Sequence, residues 1–291
     1  AGWYDDVKGF TLVNAADLSV DGAVTTSGGD IDLDVTGNLD IASNGSFDAD
    51  GGDISLFQTG TFSTVNGETV RTSGTGTITL YQNDGGSLQD SVDALYNTGS
   101  GLNTIYVGAG DYTSVVVDHV NVLLSGANAG TAGFDARGAE STVTGNSPAI
   151  TIAANNVTVD GFEITSADPG IKVDGADNAT IVNNFIHDLT AGGNSADGIF
   201  LKNTEGTYIA QNLIDNVGDE GIYGEAQLDG LIITDNVITT TGQQVSNSGA
   251  GIELKNARGD IELSDNDISD TDYHGIYVNN AHSSADITIT G

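Results

Sequence analysis

Residues 212–225 read NLIDNVGDEGIYGE: an asparagine followed by an apolar pair, then a loop, then a Gly-Ile pair opening a short alternating run. The same signatures recur along the C-terminal half. TIVNNFI, YIAQNLI, IITDNVI and IELSDNDI place asparagine at 184, 212, 236 and 266, and VTVDGFEI sets Phe162 in the equivalent position. Gly-Ile recurs with its glycine at 170, 198, 221, 251 and 275. From each of the first four glycines to the following repeat asparagine is 14 or 15 residues, whereas the return leg varies from 8 to 15. One connection holds its length; the other tolerates insertion.

Stacked coils account for this asymmetry. Strands about 4.8 Å apart must stay in register, while a corner loop can bulge into solvent. Within GIFLK, period-two alternation sends Ile199 and Leu201 inward and Phe200 and Lys202 outward, and the other Gly-Ile strands share that parity. At a corner, asparagine tolerates unusual backbone angles and satisfies backbone groups through its amide. Asn184, Asn212, Asn236 and Asn266 are therefore expected to stack as a ladder. The glycine before each isoleucine is expected to let the chain turn back into the next strand.

The N-terminal third repeats in its own way: GGDIDL, GGDISL and GTGTITL set Ile31, Ile54 and Ile78 at coil-length intervals, with Leu18, Leu39 and Phe62 running in parallel. Between the two regions, SLQDSVDALYNTG spaces Leu88, Val92 and Leu95 as a helix does, with Ser87 and Asp90 as its capping box. One short helix is expected near 87–96. The fold class is thus all-β, a single-stranded right-handed parallel β-helix (β-solenoid) of three sheets with one helix. Roughly ten to twelve coils would span about 50–60 Å.

The composition agrees. The chain has 41 Gly, 2 Pro and no Cys, which favours turns and excludes disulfides and thiolate metal sites. A formal charge of −34 with only seven Lys and Arg excludes nucleic acid and anionic lipid as partners. No stretch has the roughly 20 apolar residues of a membrane span, and AGWYDDVKGF lacks the regions of a signal peptide.

Residues 87–291, with SLQDSVDAL, IYVGAGDY, VTVDGFEI and the Asn and Gly-Ile repeats, resemble the pectin-lyase-like right-handed parallel β-helix family. Residues 1–86 are similar to the repeats of filamentous haemagglutinin-type adhesins. The resemblance implies two regions stacked as one continuous solenoid, right-handed coiling, three parallel sheets, and secretion to the extracellular cell surface. It leaves function open, because the family holds lyases, hydrolases, epimerases and adhesins.

In family enzymes the working face is the outward side of the strand after the variable corner, here the Gly-Ile strand. Alternation gives it one outward column of Lys172, Phe200, Tyr223, Glu253 and Tyr277, and a second of Asp174, Lys202, Glu225, Lys255 and Asn279. Phe200, Tyr223 and Tyr277 would stack on sugar rings, flanked by HDLTAGGNSAD and TTTGQQVSNSGA. Acid or base candidates near this face are His187, Asp188, Glu220, Glu225, Asp272, Tyr273 and His274, and DTDYHGIY resembles the clusters of uronate lyases and epimerases. Such enzymes also need a cation to neutralise a carboxylate. Among the three arginines, 71, 137 and 258, only Arg258 falls near the candidate loops. The paired aspartates and Gly-His-Gly of the family's polygalacturonases are missing. No cofactor is expected beyond a calcium ion at DADGGD, where Asp48, Asp50 and Asp53 share part of the spacing of a calcium loop.

The chain begins and ends inside strand patterns, GFTLVNAADLSV and ADITITG. Exposed strand edges invite pairing, so the expected partners are other copies end to end, or further coils of a longer chain. On these grounds the sequence reads first as a non-enzymatic adhesive shaft or filament subunit at the cell surface. The alternative is a polysaccharide-acting lyase, epimerase or hydrolase, or a glycan-binding module.

Overall fold

In the computed structural model, which describes residues 8–14, 16–145, 148–189, 196–243 and 249–291, alternate residues of the repeated strands are buried in the interior coils. Ile31, Leu33 and Val35 are at most 3% exposed while Asp32 and Asp34 between them face water. Such a strand cannot stand alone: one apolar face must be covered and both edges must be paired. Parallel stacking of successive coils supplies both, giving a parallel β-solenoid of about 11 turns. The chain divides into two compact units, residues 1–112 with 121–125, and residues 113–120 with 126–291.

In the N-terminal unit one sheet stacks Phe10–Asn14, Ile31–Val35, Ile54–Gln58, Ile78–Gln82, Asn103–Val107 and Val122–Ser125, all parallel. A second stacks Leu18–Val20, Leu39–Ile41 and Phe62–Thr64, in the register Leu18, Leu39, Phe62. Ala23–Thr25, Ser46–Asp48, Val70–Thr72 and Leu95–Asn97 form the third. Corners are tied by side chains that reach the next coil. Asp30 Oδ1 accepts from the Asp53 backbone N–H, and Asp53 Oδ1 from that of Thr77.

The expected helix is shorter than its spacing suggests, Leu88–Asp93. Ser87 caps it by accepting from the Asp90 N–H, and Leu88 and Val92 are buried. Leu95 does not continue it but pairs with Val70 as strand. Sheet pairing wins there because six residues make too few intrahelical bonds to hold a helix by themselves.

The C-terminal unit has three sheets as well. The Gly-Ile sheet stacks Val115–Val117, Ile150–Ile152, Ile171–Asp174, Ile199–Lys202, Ile222–Gln227, the first part of Ile252–Ser264, and Ile276–Asn279. Ile150, Ile171, Ile199, Ile222 and Ile252 form an inner column with no exposed surface. The second sheet runs through Val157–Asp160, Thr180–Val182, Tyr208–Ala210, Leu231–Thr234, the later part of Ile252–Ser264 and Ala285–Thr290. The third runs through Ser141–Thr144, Glu163–Thr165, Phe185–Leu189, Leu213–Val217, Val237–Thr241 and Asp267–Thr271.

Two corner expectations need correction. The left-handed backbone belongs not to the repeated asparagines but to the residues before them: Asn183, Gln211, Asp235 and Asp265 have φ of 58, 58, 54 and 53°. The Gly-Ile glycines do not turn the chain through positive φ; they permit close approach. A Cβ on Gly221 would lie 2.5 Å from Ile238 Cγ2 and 2.6 Å from the Gly251 carbonyl oxygen, and Gly198 and Gly251 are equally confined.

Candidate functional site

The four repeated asparagines stand one above another. Asn184 donates from its backbone N–H and from Nδ2 to Asn212 Oδ1, both at 3.0 Å, and Asn212 does the same to Asn236 at 3.0 and 2.9 Å. Asn236 repeats it on Asn266 at 3.2 and 3.0 Å. Each Nδ2 also reaches a backbone carbonyl of the preceding coil: Val159, Ile181, Ile209 and Ile233. Phe162, which lacks an amide, ends the column by donating its backbone N–H to Asn184 Oδ1.

On the Gly-Ile sheet the register sets Lys172, Phe200, Tyr223, Glu253 and Tyr277 in one outward column and Asp174, Lys202, Glu225, Lys255 and Asn279 in the next. The rings of Phe200 and Tyr223 lie 5.5 Å apart. Lys202 Nζ is 3.7 Å from Glu225, and Lys172 Nζ is 3.2 Å from Asp174. Tyr273, His274 and Tyr277 form an exposed aromatic cluster, with His274 3.9 Å from Tyr273 and 5.1 Å from Tyr277. Asp272 is exposed beside it and donates its backbone N–H to the Thr241 carbonyl.

At the edge of this sheet the coils converge three carboxylates, Asp197, Asp219 and Glu220, one oxygen from each lying within 4.8 Å of the others. All three are at most 5% exposed. Asp197 and Glu220 occupy the same repeat position, immediately before the Gly-Ile glycine of adjacent coils, so stacking sets one over the other. The Glu220 backbone N–H donates to Asp197 Oδ1 at 3.2 Å. Burial, and then the Glu220 charge, hold Asp197 well above the usual carboxylate range. Burial and the neighbouring Asp219 push Glu220 up to about 7, against the hydrogen bond it shares with Asp197. Asp168 is raised too, by burial and by Asp219. Tyr223 rises through burial and then the fields of Glu225, Glu253, Asp197 and Glu220. The Asp197 and Glu220 shifts run the same way, toward keeping a proton at this corner to higher pH than an ordinary carboxyl would. The three oxygens also have the character a hard divalent cation takes.

Of the sequence candidates, then, Glu220, Glu225, Phe200 and Tyr223 fall in one neighbourhood, and Tyr273, His274 and Tyr277 gather two coils further along. His187 and Asp188 lie on the third sheet. His187 Nε2 is 2.9 Å from Glu163 and Nδ1 2.9 Å from Asp188, with Phe185 stacked on the ring at 4.0 Å. Burial raises Glu163, yet hydrogen bonds from Thr142 and His187 outweigh it and leave it below its ordinary value. Hydrogen bonds from Asn216 and His187 lower Asp188. In the N-terminal unit, Asp48 accepts from the Asp50 N–H and Asp53 from Thr77, so two of the three calcium-loop carboxylates are engaged at corners. Parts of the two flanking loops, 190–195 and 244–248, lie outside the described residues.

Sequence reading missed Asp197 and Asp219. The signal was present: aligned on Gly-Ile, the preceding residues are Pro169, Asp197, Glu220, Ala250 and His274, so acids fall together only in the two adjacent coils.

Residues 122–291 match the family described as the right handed beta helix region. No curated protein sequence matches the chain significantly. Among solved structures, the crystal structure of the periplasmic alginate epimerase AlgG is similar at a TM-score of 0.50 and 13% identity. That likeness covers 86% of this chain and 62% of the epimerase, so the chain spans less than two thirds of that protein's length. The enzymatically active domain of tailspike protein 2 from bacteriophage CBA120 aligns at a TM-score of 0.42 and 14% identity, over 97% of this chain and 43% of the tailspike. Among the described residues no helix is long and apolar enough to cross a membrane.

Proposed function

The chain belongs to the right-handed β-helix family, and we propose that it acts on a polysaccharide as a glycoside hydrolase, with the Asp197–Asp219–Glu220 corner as its acid-base group. The observation that carries this reading is the stacked cluster of three buried carboxylates, whose charges reach Tyr223 of the outward Phe200–Tyr223 ring pair. Glycoside cleavage needs a neutral carboxyl to protonate the leaving oxygen and a carboxylate to assist at the anomeric carbon. The C–O bond breaks, the leaving sugar keeps the proton, and water supplies the hydroxyl to the anomeric carbon and a proton back to the pair.

Within the alternatives the family offers, hydrolysis fits better than uronate elimination or epimerisation. Those reactions act beside a substrate carboxylate that a cation must neutralise. Here Lys172 and Lys202 are matched by Asp174 and Glu225, Lys255 stands in register between Glu225 and Asn279, Arg137 is bound by both its Nε and Nη2 to Glu140, and Arg258 is in register with Gln227, so three acids of the corner and Glu225 and Glu253 beside it outnumber the nearby cations. The site is anionic and suits a neutral or amine-bearing glycan. A polysaccharide substrate also suits secretion to the periplasm or cell surface. The haemagglutinin-like, adhesive-shaft reading has the repeats behind it, but any β-helix needs those, and it gives the acid corner no task.

The test is incubation with neutral glucans, xylan and mannan, chitosan, and the polyuronates alginate and pectate, following reducing ends and unsaturated products. Reducing ends without unsaturated products, abolished in Glu220→Gln, are expected. Absence of reducing ends on every polymer, or full activity in Glu220→Gln, overturns the proposal.

A further inference from the structure

The N-terminal unit carries an aromatic column that the acid corner does not use. Phe57, Tyr81 and Tyr106 occupy successive coils of its first sheet, all outward, with ring centroids 4.9 and 5.0 Å apart. The residues alternating with them, Leu56, Leu80 and Ile105, are fully buried, whereas Phe57 is 37% and Tyr106 43% exposed. Tyr81 and Tyr106 stack at 26° to one another, and Phe57 is turned 83° from Tyr81, so the column presents two ring orientations and two phenol hydroxyls.

Two residues earlier in each strand, on the same face and roughly 6.5–7 Å away, a second column runs in register: Ser55, Thr79 and Thr104. Every member is a hydroxyl. The preceding coil extends the two columns with Asp32 and Asp34. No cation stands in either column among these coils.

We propose that this face is a second glycan-binding site, holding a neutral polysaccharide segment along the stacking direction of the coils. Rings beside a row of hydroxyls match the two surfaces of a sugar, its C–H faces and its hydroxyl edge. The carboxylates of Asp32 and Asp34 disfavour a polyanion by charge, so nucleic acid and polyuronate are excluded. Such a face anchors substrate by binding alone, so it stands whether or not the acid corner turns substrate over.

Affinity electrophoresis through gels containing xylan, mixed-linkage glucan or mannan tests it, in a Glu220→Gln background that prevents digestion. The expected result is retardation by at least one neutral polymer, not by pectate, weakened about tenfold or more (about 1.4 kcal/mol) in Phe57→Ala/Tyr81→Ala/Tyr106→Ala. Thr79→Val/Thr104→Val should weaken it less. Far-UV circular dichroism checks the fold, and Tyr106→Ala alone replaces the triple variant if that one is unfolded. Absence of retardation in every neutral gel overturns the proposal, as does equal retardation of the variants. Sedimentation showing a wild-type dimer that the triple variant dissociates would make the column a protein interface and overturn it too.

Discussion

Two corners of the C-terminal unit solve the same stacking problem in opposite ways. At one, Asn184, Asn212, Asn236 and Asn266 place neutral amides over one another, and every Nδ2 finds a neighbouring backbone carbonyl. At the other, Asp197, Asp219 and Glu220 bring like charges together at 5% exposure or less. The first gains a hydrogen bond with each added coil. The second costs desolvation and repulsion with each, and is relieved only by retaining protons. Amides would have served the second corner equally well as structure, which is why its carboxylates are read as chemistry.

The comparison is broken most strongly at the amide column. Asn212→Leu removes the acceptor used twice by Asn184 and leaves the Ile181 carbonyl and the Asn236 Oδ1 short of a donor. A loss of about 3–5 kcal/mol is expected from orphaned buried groups. Thermal unfolding should fall by roughly 6–15 °C, and an unchanged melt would show that the ladder is incidental.

Close approach between coils comes next. Gly221→Ala puts a methyl 2.5 Å from Ile238 Cγ2 and 2.6 Å from the Gly251 oxygen, for an expected loss of about 1–3 kcal/mol. Gly175→Ala is the control, with φ 73° but open space around its Cβ, so it isolates the backbone cost. If crowding governs the Gly-Ile column, chemical denaturation will find Gly221→Ala the worse of the two.

The third-sheet network sharpens the contrast through pH. Glu163 and Asp188 are held below their ordinary values, so their contribution is present above those values and fades as pH falls through the lowered ones. His187→Gln should cost about 0.5–1 kcal/mol at pH 6 and less at pH 3, read from urea midpoints. A cost that grows on acidification would contradict the pairing. The smallest effect belongs to the surface ladder: Lys202→Glu sets three acids in a row between Asp174 and Glu225, worth about 0.2–1 kcal/mol, and high salt should erase it.

Much of this arrangement was legible in the residues themselves. Period-two alternation placed both outward columns of the Gly-Ile sheet in their observed register, because one buried face leaves a strand no freedom to slip. The amide stack followed from a constant 14 or 15 residues between glycine and asparagine. The left-handed residue was misplaced by one because Asn183, Gln211, Asp235 and Asp265 are polar as well, and only geometry separates the residue that turns from the residue that bonds. Leu95 looked helical because helix spacing is local, whereas its pairing with Val70 is not. Asp197 and Asp219 escaped notice for a related reason. In an acidic chain no single aspartate stands out, and their significance arises from burial and stacking.

A working acid corner must be kept at a cost to stability. Glu220 is raised from 4.5 to about 7, and Asp197 is raised as well. The folded protein therefore holds protons that the unfolded chain has lost, and the corner's contribution, whole at pH 4, declines as pH rises toward 7. The direct measurement is the unfolding temperature of Asp197→Asn/Glu220→Gln against the wild type from pH 4 to 8. The double variant should match the wild type at pH 4 and exceed it at pH 8, on the order of 1–2 kcal/mol. A double variant less stable than the wild type across that whole range would mean the carboxylates are structural, and the functional reading of the corner would fall.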